Sequence, residues 1–275
     1  MLNYLAAPKF RLKSFKVHVA QKMNHFDLSC LRAELRPFRL HFFPTLKSTN
    51  LHAAAMRKAG RLYAPAIVLT AKQSAGRGRG SNTWFSSAGS LTVTFVLPID
   101  SHEPQELPLI AGLAARAACA EMSGCEEVML KWPNDLLVGD KKLAGLLCQR
   151  VEKVDLVGIG INVNTPLSKA PAMLRRQIIS LQLLAGRELN VSEVLISLSR
   201  HLRQLLRLRN EKSFATFVEE FGRYDALAGR QIEVIGENGD PPISGIGQGI
   251  DSAGRLLLRS GTKTHRIIAG HIIMA

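Results

Sequence analysis

Apolar positions follow two periods along this chain, and together they predict a mixture of strands and helices. Residues 64–73 (APAIVLTAKQ) form an apolar, β-branched run typical of a buried strand. The segment SLTVTFVLP alternates like a second strand paired with the first. Helical spacing follows Pro108 as far as Ser123, with Gly124 as its stop, and returns over residues 192–224.

Three further strands and a change of character near the C-terminus complete the predicted fold. VMLKWPNDLLV and KKLAGLLCQRV read as two strands of a hairpin with Gly139 and Asp140 at its tip, and DLVGIGINVN reads as another strand. After about Ala226 the chain becomes short strands separated by glycine-containing turns, which is typical of a small β-barrel. We therefore predict an α+β fold: a mixed sheet flanked by helices in residues 41–225, and a barrel in residues 226–275.

Composition indicates a globular protein with an unusual charge distribution. Of the 275 residues, 46% are hydrophobic and 21% charged, and the net charge is +14. No apolar run reaches the roughly 18 residues of a membrane span, so we expect no membrane association. The four cysteines (Cys30, Cys119, Cys125 and Cys148) form no CxxC pair. Reduced thiols fit a reducing compartment, and we predict a cytoplasmic protein.

Much of the excess charge lies at the start of the chain. Residues 1–47 contain nine lysines and arginines but only Asp27 and Glu34 as acids. We predict that residues 1–40 are an appended, disordered basic segment. A weak contact with nucleic acid or an acidic partner, or a targeting peptide poor in serine, are the alternatives.

The segment AKQSAGRGRGSNTW, residues 71–84, is the first with candidate chemistry. Its glycines let the backbone approach a ligand closely, and its arginines can grip a carboxylate or phosphate through paired hydrogen bonds. Trp84 offers a flat face for a purine. A mobile basic loop or an RNA contact would use the same residues.

Three shorter segments offer weaker signals. In KWPNDLLV, Lys131 lies in or beside an apolar strand and needs an anionic partner, unless it merely extends to solvent. In GIGINVN, Gly158 and Gly160 leave room for a flat ligand or for close backbone packing, and Asn162 could read an adenine edge. In KSTN, residues 47–50, the hydroxyls could hold a polar ligand or simply cap a helix.

The order and spacing of these segments resemble biotin protein ligases from about residue 41 to the C-terminus. KWPNDLLV followed by KKLAGLL is the most specific part. The resemblance implies a catalytic domain with a small SH3-like barrel, and a reaction in two steps. Biotin and ATP give biotinyl-5′-AMP, and a lysine of a biotin carboxyl carrier domain then takes the biotinyl group.

The resemblance also implies roles for individual residues. It predicts Lys131 and Arg79 as the catalytic residues, with Mg²⁺ accompanying ATP through ligands that the sequence does not name. Predicted biotin contacts are Ser48, Thr49, Asn50, Gln73, Arg77, Gly78, Arg79, Lys131 and Gly158. Predicted adenylate contacts are Arg77, Arg79, Trp84, Lys131 and Asn162, with Gly76, Gly80, Asn134, Asp135, Lys142 and Gly160 in support.

The chain departs from the family pattern at several positions. Asn82 stands where an arginine is frequent, Ser87 replaces a proline, and His271 replaces a frequent glutamate. Bifunctional members carry an N-terminal winged helix-turn-helix, and because residues 1–40 show no three-helix pattern we expect no specific DNA binding. The chain is expected to be a monomer or a homodimer.

Other functions remain compatible with the same sequence. A lipoate or octanoate ligase shares the catalytic fold, although the KWPND segment and the GRGRG loop favour biotin. A nucleic-acid-binding protein would use the basic segment and the arginine–glycine loop, and a degenerate homologue would bind biotin without catalysis. ATP-dependent labelling with biotin rather than lipoate separates these classes.

Overall fold

A computed structural model describes residues 26–99, 103–236 and 241–274 of the chain. Seven α-helices lie in these ranges: α1 (Leu28–Glu34), α2 (Thr49–Lys58), α3 (Leu107–Ser123), α4 (Ala172–Arg175), α5 (Leu181–Ala185), α6 (Val191–Glu211) and α7 (Ala215–Arg223). A short 3-10 helix covers Leu167–Lys169. None of them combines the length and the apolar character that a bilayer crossing requires.

Fourteen strands accompany these helices within the same described ranges. The first nine are β1 (Arg39–Phe43), β2 (Ala66–Thr70), β3 (Gly76–Arg77), β4 (Thr83–Trp84), β5 (Leu91–Pro98), β6 (Val128–Lys131), β7 (Asp135–Val138), β8 (Lys141–Val151) and β9 (Val154–Ile161). The last five are β10 (Gln231–Ile235), β11 (Ile243–Ile250), β12 (Leu256–Ser260), β13 (Lys263–Ile267) and β14 (His271–Met274).

Seven strands form the main sheet in the order β1-β2-β5-β9-β8-β7-β6. Only β1 and β2 are parallel neighbours, so the sheet is mixed, as predicted. One face packs against α3, and α6 packs in turn against α3. β5 and β9 place alternate apolar side chains on this face. These core residues are Leu91, Val93, Phe95, Val157, Ile159 and Ile161. The opposite face receives α2.

The C-terminal residues form a second, antiparallel sheet in the order β13-β12-β11-β10-β14. The turn residues of the sequence separate its strands, and Ile232, Val234, Leu256 and Leu258 point into the common core. The predicted fold class is therefore confirmed: a mixed sheet with helices, followed by a small five-stranded antiparallel sheet.

Part of the predicted basic extension belongs to the folded core. Asp27 caps α1 by accepting from the backbone nitrogens of Ser29 and Cys30. Leu31 and Leu35 are fully buried, and the Phe38 ring meets Phe95 edge to face at 5.5 Å between centroids. The expectation of a separate, disordered segment is thus wrong for residues 26–40, because their apolar spacing supplies core side chains. Residues 1–25 lie outside the described residues.

The segment VMLKWPNDLLV is two strands, not one. β6 ends at Lys131, residues 132–134 turn, and β7 starts at Asp135 directly opposite Lys131. The backbone nitrogen of Asn134 donates to the carbonyl of Lys131 and closes this turn. The predicted hairpin around Gly139 and Asp140 is present as well, between β7 and β8.

A buried carboxylate lies where the two sheets join. Asp225 lies beside Leu130 at the edge of β6. The Leu130 nitrogen donates to the Tyr224 carbonyl, and the Leu130 carbonyl accepts from the Ala226 nitrogen. Asp225 Oδ1 accepts from the nitrogen of Leu227, while its Oδ2 is buried without a hydrogen-bond partner among the described residues. Burial raises the pKa of Asp225 from 3.8 to about 6.

We predict that Asp225→Asn stabilises the protein at neutral pH. The folded state holds the Asp225 proton more tightly than the unfolded state. The contribution of protonated Asp225 to folding stability is therefore complete below pH 4 and is lost as pH rises through 6. The substitution should recover roughly 1–3 kcal/mol at pH 7 and little at pH 4. Urea unfolding between pH 4 and 8 measures this, with the exposed Glu127→Gln as the control. Equal gains at both ends of the range would contradict the prediction.

Candidate functional site

A cavity of about 730 Å³ lies on the α2 side of the main sheet. Its floor is shallow because β5, β8 and β9 carry small residues on this face. Thr92, Gly160 and Gly145 lie opposite one another across the three strands, and Gly158 lies two residues along β9. With no side chains at the glycines, the sheet backbone itself becomes accessible to groups from other elements.

The N-terminus of α2 forms one wall of the cavity. Ser48 precedes the helix, but its side chain makes no capping hydrogen bond. Instead, Gln73 Oε1 accepts from the Thr49 nitrogen at 2.8 Å and from Thr49 Oγ1 at 3.2 Å. The side chains of Ser48, Thr49 and Gln73 are buried and line the cavity. The structure thus places together three residues that the sequence predicted for one ligand.

Asn50 and Gly158 were both predicted to contact biotin, but in the structure they contact each other. The Asn50 amide lies where a side chain at Gly158 would be. Its Oδ1 accepts from Thr94 Oγ1 at 2.6 Å, and its Nδ2 donates to the Leu147 carbonyl at 2.9 Å. Asn50 therefore connects α2 to β5 and β8, and its polar atoms are engaged by the protein.

The glycine–arginine segment is a short hairpin over the cavity. β3 and β4 pair, and beyond them the Gly78 nitrogen donates to the Asn82 carbonyl at 2.8 Å. Gly76 tolerates no side chain, since its Cβ would lie 2.5 Å from the Trp84 carbonyl. Gly80 turns with φ +56°. Arg77, Gly78, Arg79 and Gly80 all line the cavity.

Arg79 joins the hairpin to two other elements. Its Nη1 lies 3.4 Å from Asn134 Oδ1, in the turn between β6 and β7, and 3.4 Å from the Gly270 carbonyl, just before β14. Asn134 is held in turn by the Leu146 carbonyl, which accepts from its Nδ2 at 3.0 Å. The hairpin is thereby placed between the main sheet and the second sheet.

Lys142, not Lys131, presents an ammonium to the cavity. Its Nζ lies 2.7 Å from Asp135 Oδ1, and both side chains line the cavity. A bulge makes this possible: Leu136 pairs with Ala144 but Leu137 pairs with Lys142, so Leu143 is an extra residue on β8. The bulge turns Lys142 toward the face that carries Gly145.

The predicted catalytic role of Lys131 is corrected by its position. Lys131 does not line the cavity, and its ammonium donates to the Ile272 carbonyl of β14 at 2.9 Å. Burial lowers the pKa of Lys131, and nearby Asp135 opposes that shift. Its neighbour Trp132 donates from Nε1 to the Gly254 carbonyl at 3.0 Å. Both side chains fasten the second sheet to the first.

Trp84 and Asn162 lie at the other end of the floor. The Trp84 indole rests on Gly160, and its Nε1 is buried without a hydrogen-bond partner among the described residues. Asn162 is nearly fully buried; its Oδ1 accepts from Thr165 Oγ1 at 3.4 Å. The space beside Gly158 and Gly160, which the sequence predicted for a flat ligand or for close packing, is occupied by Asn50 and Trp84.

Sequence reasoning missed two groups of cavity residues. The segment around α4 contributes Leu174, Gln177 and Ile178, and it is attached to β8 because the Lys142 nitrogen donates to the Gln177 carbonyl at 2.7 Å. The second sheet contributes Ile235, Gly236, Gly270 and His271 at the mouth. No local motif marks these residues. The one signal near the C-terminus was His271, which replaces a glutamate that is frequent in the family.

The charge of the lining is mainly positive. Arg77, Arg79 and Lys142 line the cavity, and among the described residues Asp135 is the one carboxylate of the lining, paired with Lys142. The described residues contain no group of three histidines, cysteines or acids that could hold a metal ion. The cavity therefore suits an anionic ligand with a flat apolar part, bound between the sheet floor and the hairpin.

Two family models match the chain, one to each sheet. Residues 42–165 match the biotin/lipoate A/B protein ligase family, and residues 228–274 match the biotin protein ligase C-terminal domain. Both matches agree with the resemblance that the sequence motifs predict, which is confirmed.

Individual relatives extend these matches. The bifunctional ligase/repressor BirA of Escherichia coli is 30% identical over 222 residues, covering 78% of this chain and 67% of the relative. The biotin–[acetyl-CoA-carboxylase] ligase of Paracoccus denitrificans is 30% identical over 227 residues, covering 78% of this chain and 92% of the relative. A biotin protein ligase from Aquifex aeolicus, solved with biotin and ATP, superposes with a TM-score of 0.78 at 26% identity, covering 86% of this chain and 98% of that one.

We predict that Gln73→Leu lowers the free energy of unfolding by about 1–2 kcal/mol, because the Thr49 nitrogen and hydroxyl lose their buried acceptor. Urea unfolding measures the change. Ser74→Ala is the control: its exposed hydroxyl makes only a 3.5 Å contact, so a change below about 0.5 kcal/mol is expected. A Gln73→Leu protein as stable as this control would show that the contact contributes nothing.

Proposed function

The chain belongs to the biotin protein ligase family, and we propose that it activates biotin with ATP and transfers the biotinyl group to a lysine of an acceptor protein. The observation that carries the proposal is the cavity itself. Lys142 lies over a glycine floor beneath a hairpin that adds Arg77 and Arg79. A cationic site of this kind suits a carboxylate that must meet a triphosphate.

Biotin lies with its polar head at the start of α2. Ser48 and Thr49 offer hydroxyls there, and Gln73 fixes the orientation of Thr49 through its two hydrogen bonds. Asn50 acts indirectly, since its amide is bonded to Thr94 and Leu147. The biotin carboxylate then extends along the floor toward Lys142.

In the first step a carboxylate oxygen attacks the α-phosphorus of ATP. A carbon–oxygen–phosphorus anhydride forms, the bond to the β-phosphate breaks, and pyrophosphate leaves. Negative charge accumulates where carboxylate and phosphate meet, and Lys142 stabilises it there. Trp84 and Asn162 hold the adenine, the indole through its face and Asn162 through its amide.

The hairpin retains the mixed anhydride between the two steps. Water would hydrolyse biotinyl-5′-AMP, so a closed cover that contributes Arg77 and Arg79 preserves it. In the second step the neutral amine of the acceptor lysine attacks the acyl carbon, and AMP leaves with the anhydride oxygen. Asp135, the cavity's carboxylate, can orient the incoming lysine.

Mg²⁺ would enter with the nucleotide. Asp135 is the only carboxylate of the cavity lining and is already bonded to Lys142, so the described residues provide no set of oxygen ligands around it. A hard cation of this kind keeps most of its waters and binds through the phosphates of the nucleotide. It would supply charge neutralisation of the triphosphate.

The acceptor is a biotin carboxyl carrier domain of acetyl-CoA carboxylase. The Paracoccus relative is named for acetyl-CoA carboxylase, and this chain matches nearly all of its length. The match of residues 228–274 to a domain named for biotin protein ligases supports biotin over lipoate. ATP-dependent transfer of labelled biotin to such a carrier domain, beside labelled lipoate, is the direct test. Transfer of lipoate alone would refute the proposal.

We predict that Lys142→Met slows pyrophosphate release from biotin and ATP by about 10²–10³-fold, because the developing charge loses its cation. Biotin affinity, measured by calorimetry, should change much less. The control is Lys141→Met, which removes an exposed lysine outside the cavity lining one position earlier. Equal rates for the two variants would remove Lys142 from this role.

We predict that Arg79→Ala releases biotinyl-5′-AMP faster, by about tenfold or more, because the hairpin loses its bonds to Asn134 and Gly270. A rapid-dilution assay on preformed adenylate measures release, and labelling of unrelated proteins should rise in parallel. Arg176→Ala, an exposed arginine outside the lining, is the control. Unchanged retention in Arg79→Ala would show that the hairpin closes without this arginine.

A further inference from the structure

Three glycines on one face of the main sheet are each covered by a side chain from elsewhere. Gly145 of β8 lies directly opposite Gly160 of β9, and Gly158 lies two residues away on the same face. Lys142 lies against Gly145, Asn50 against Gly158, and Trp84 against Gly160. These three side chains come from a bulge, a helix and a hairpin, yet all reach the sheet at a position without a Cβ.

The contact at Gly160 is the tightest that involves a ring. A Cβ at this position would lie 2.5 Å from Trp84 Cε2 and 2.7 Å from Cζ2. No hydrogen bond to a described residue fixes the indole nitrogen, so packing on bare backbone sets the position of the ring. Any side chain at 160 would lift the ring away from the floor.

At Gly145 the neighbour is the end of a flexible side chain. A Cβ would lie 3.0 Å from Lys142 Cε, 3.2 Å from Nζ and 3.4 Å from Asp135 Oδ1. The fold can accommodate a methyl group here if the ammonium moves by a few tenths of an ångström. The position of the cation, rather than stability, therefore depends on this glycine.

At Gly158 the neighbour is a buried, fully bonded amide. A Cβ would lie 2.8 Å from Asn50 Cγ and 3.0 Å from Nδ2. Asn50 cannot move without losing its bonds to Thr94 and Leu147. Because Asn50 lies in the first turn of α2, displacing it also displaces Ser48 and Thr49.

We propose that Gly145, Gly158 and Gly160 are positioning residues, each setting the place of one part of the binding machinery. Gly145 places the cation that faces the reacting carboxylate, Gly158 places the helix start that holds the biotin head, and Gly160 places the ring that holds adenine. The inference rests on the proposed function, and it predicts three different defects from one substitution made at three positions.

Alanine variants at the three glycines give the test, with calorimetric affinities for biotin and ATP and the rate of adenylate formation as readouts. Gly160→Ala should weaken ATP binding by about tenfold, comparable to losing a stacked base, and leave biotin binding within about threefold. Gly158→Ala should weaken biotin binding by about tenfold or more. Gly145→Ala should lower the saturated rate about tenfold or more and leave both affinities within about threefold.

Double-mutant cycles separate this positioning from general damage. Alanine at 160 should change ATP affinity less than about twofold once Trp84 is alanine, because the ring that it displaces is gone. Likewise, Gly145→Ala should add nothing to Lys142→Ala. If Gly158→Ala fails to fold, Asn50→Ala/Gly158→Ala is compared with Asn50→Ala, and equal thermal stability of that pair supports the proposal.

Gly222→Ala in α7 is the matched control, since nothing lies within 4 Å of a Cβ there, and all three readouts should stay at wild-type values. Three results would each overturn the inference. The glycine variants could match Gly222→Ala in all readouts, or all three could show the same defect. The effects of the glycine and partner substitutions on affinity or rate could also be fully additive. A wild-type chain that binds biotin and ATP in that case leaves the proposed function standing. A wild-type chain that binds neither refutes the proposed function and this inference with it.

Discussion

The site depends on one constraint: the middle of the main sheet is covered by large apolar side chains on one face and almost bare on the other. On the core face, Phe95 and Ile159 belong to the apolar core that also contains side chains of α3 and α6, and their burial stabilises the sheet. On the other face, Thr92 and the glycines of β8 and β9 leave the backbone open. A sheet held firmly from one side can serve on the other as a rigid floor, to which α2, the hairpin and Lys142 are fitted.

Besides the shared apolar core, hydrogen bonds to its backbone hold the second sheet in place. Lys131, Trp132 and Arg79 donate to the carbonyls of Ile272, Gly254 and Gly270, so its position is fixed by side chains of the KWPN segment and of the hairpin. The same segment supplies Asn134 and Asp135 to the cavity. The most family-specific motif of this biotin–protein ligase thus has two parts, one that fastens the second sheet and one that faces the ligand.

Much of the fold follows from local pattern, since strand alternation, helical spacing and turn residues act over a few positions. The buried strand within residues 64–73, the helix ending at Gly124 and the short C-terminal strands were all predicted from such signals. Predictions were wrong where a chain segment depended on a distant partner. Leu31 and Leu35 were assigned to a basic tail. They lie in and beside helix α1, which is stabilised by burial of their side chains in the core.

The sequence alone determined the family and the two-sheet architecture. It also identified about half of the residues around the cavity, because each motif keeps its members close together along the chain. Tertiary structure decided which lysine faces the cavity. Simple alternation along β8 would place Lys142 on the core face, since Gly145, three residues later, lies on the cavity face. The bulge at Leu143 reverses that, while Lys131 reaches β14 instead. A register shift depends on how two strands pair, and no residue type announces it in the sequence.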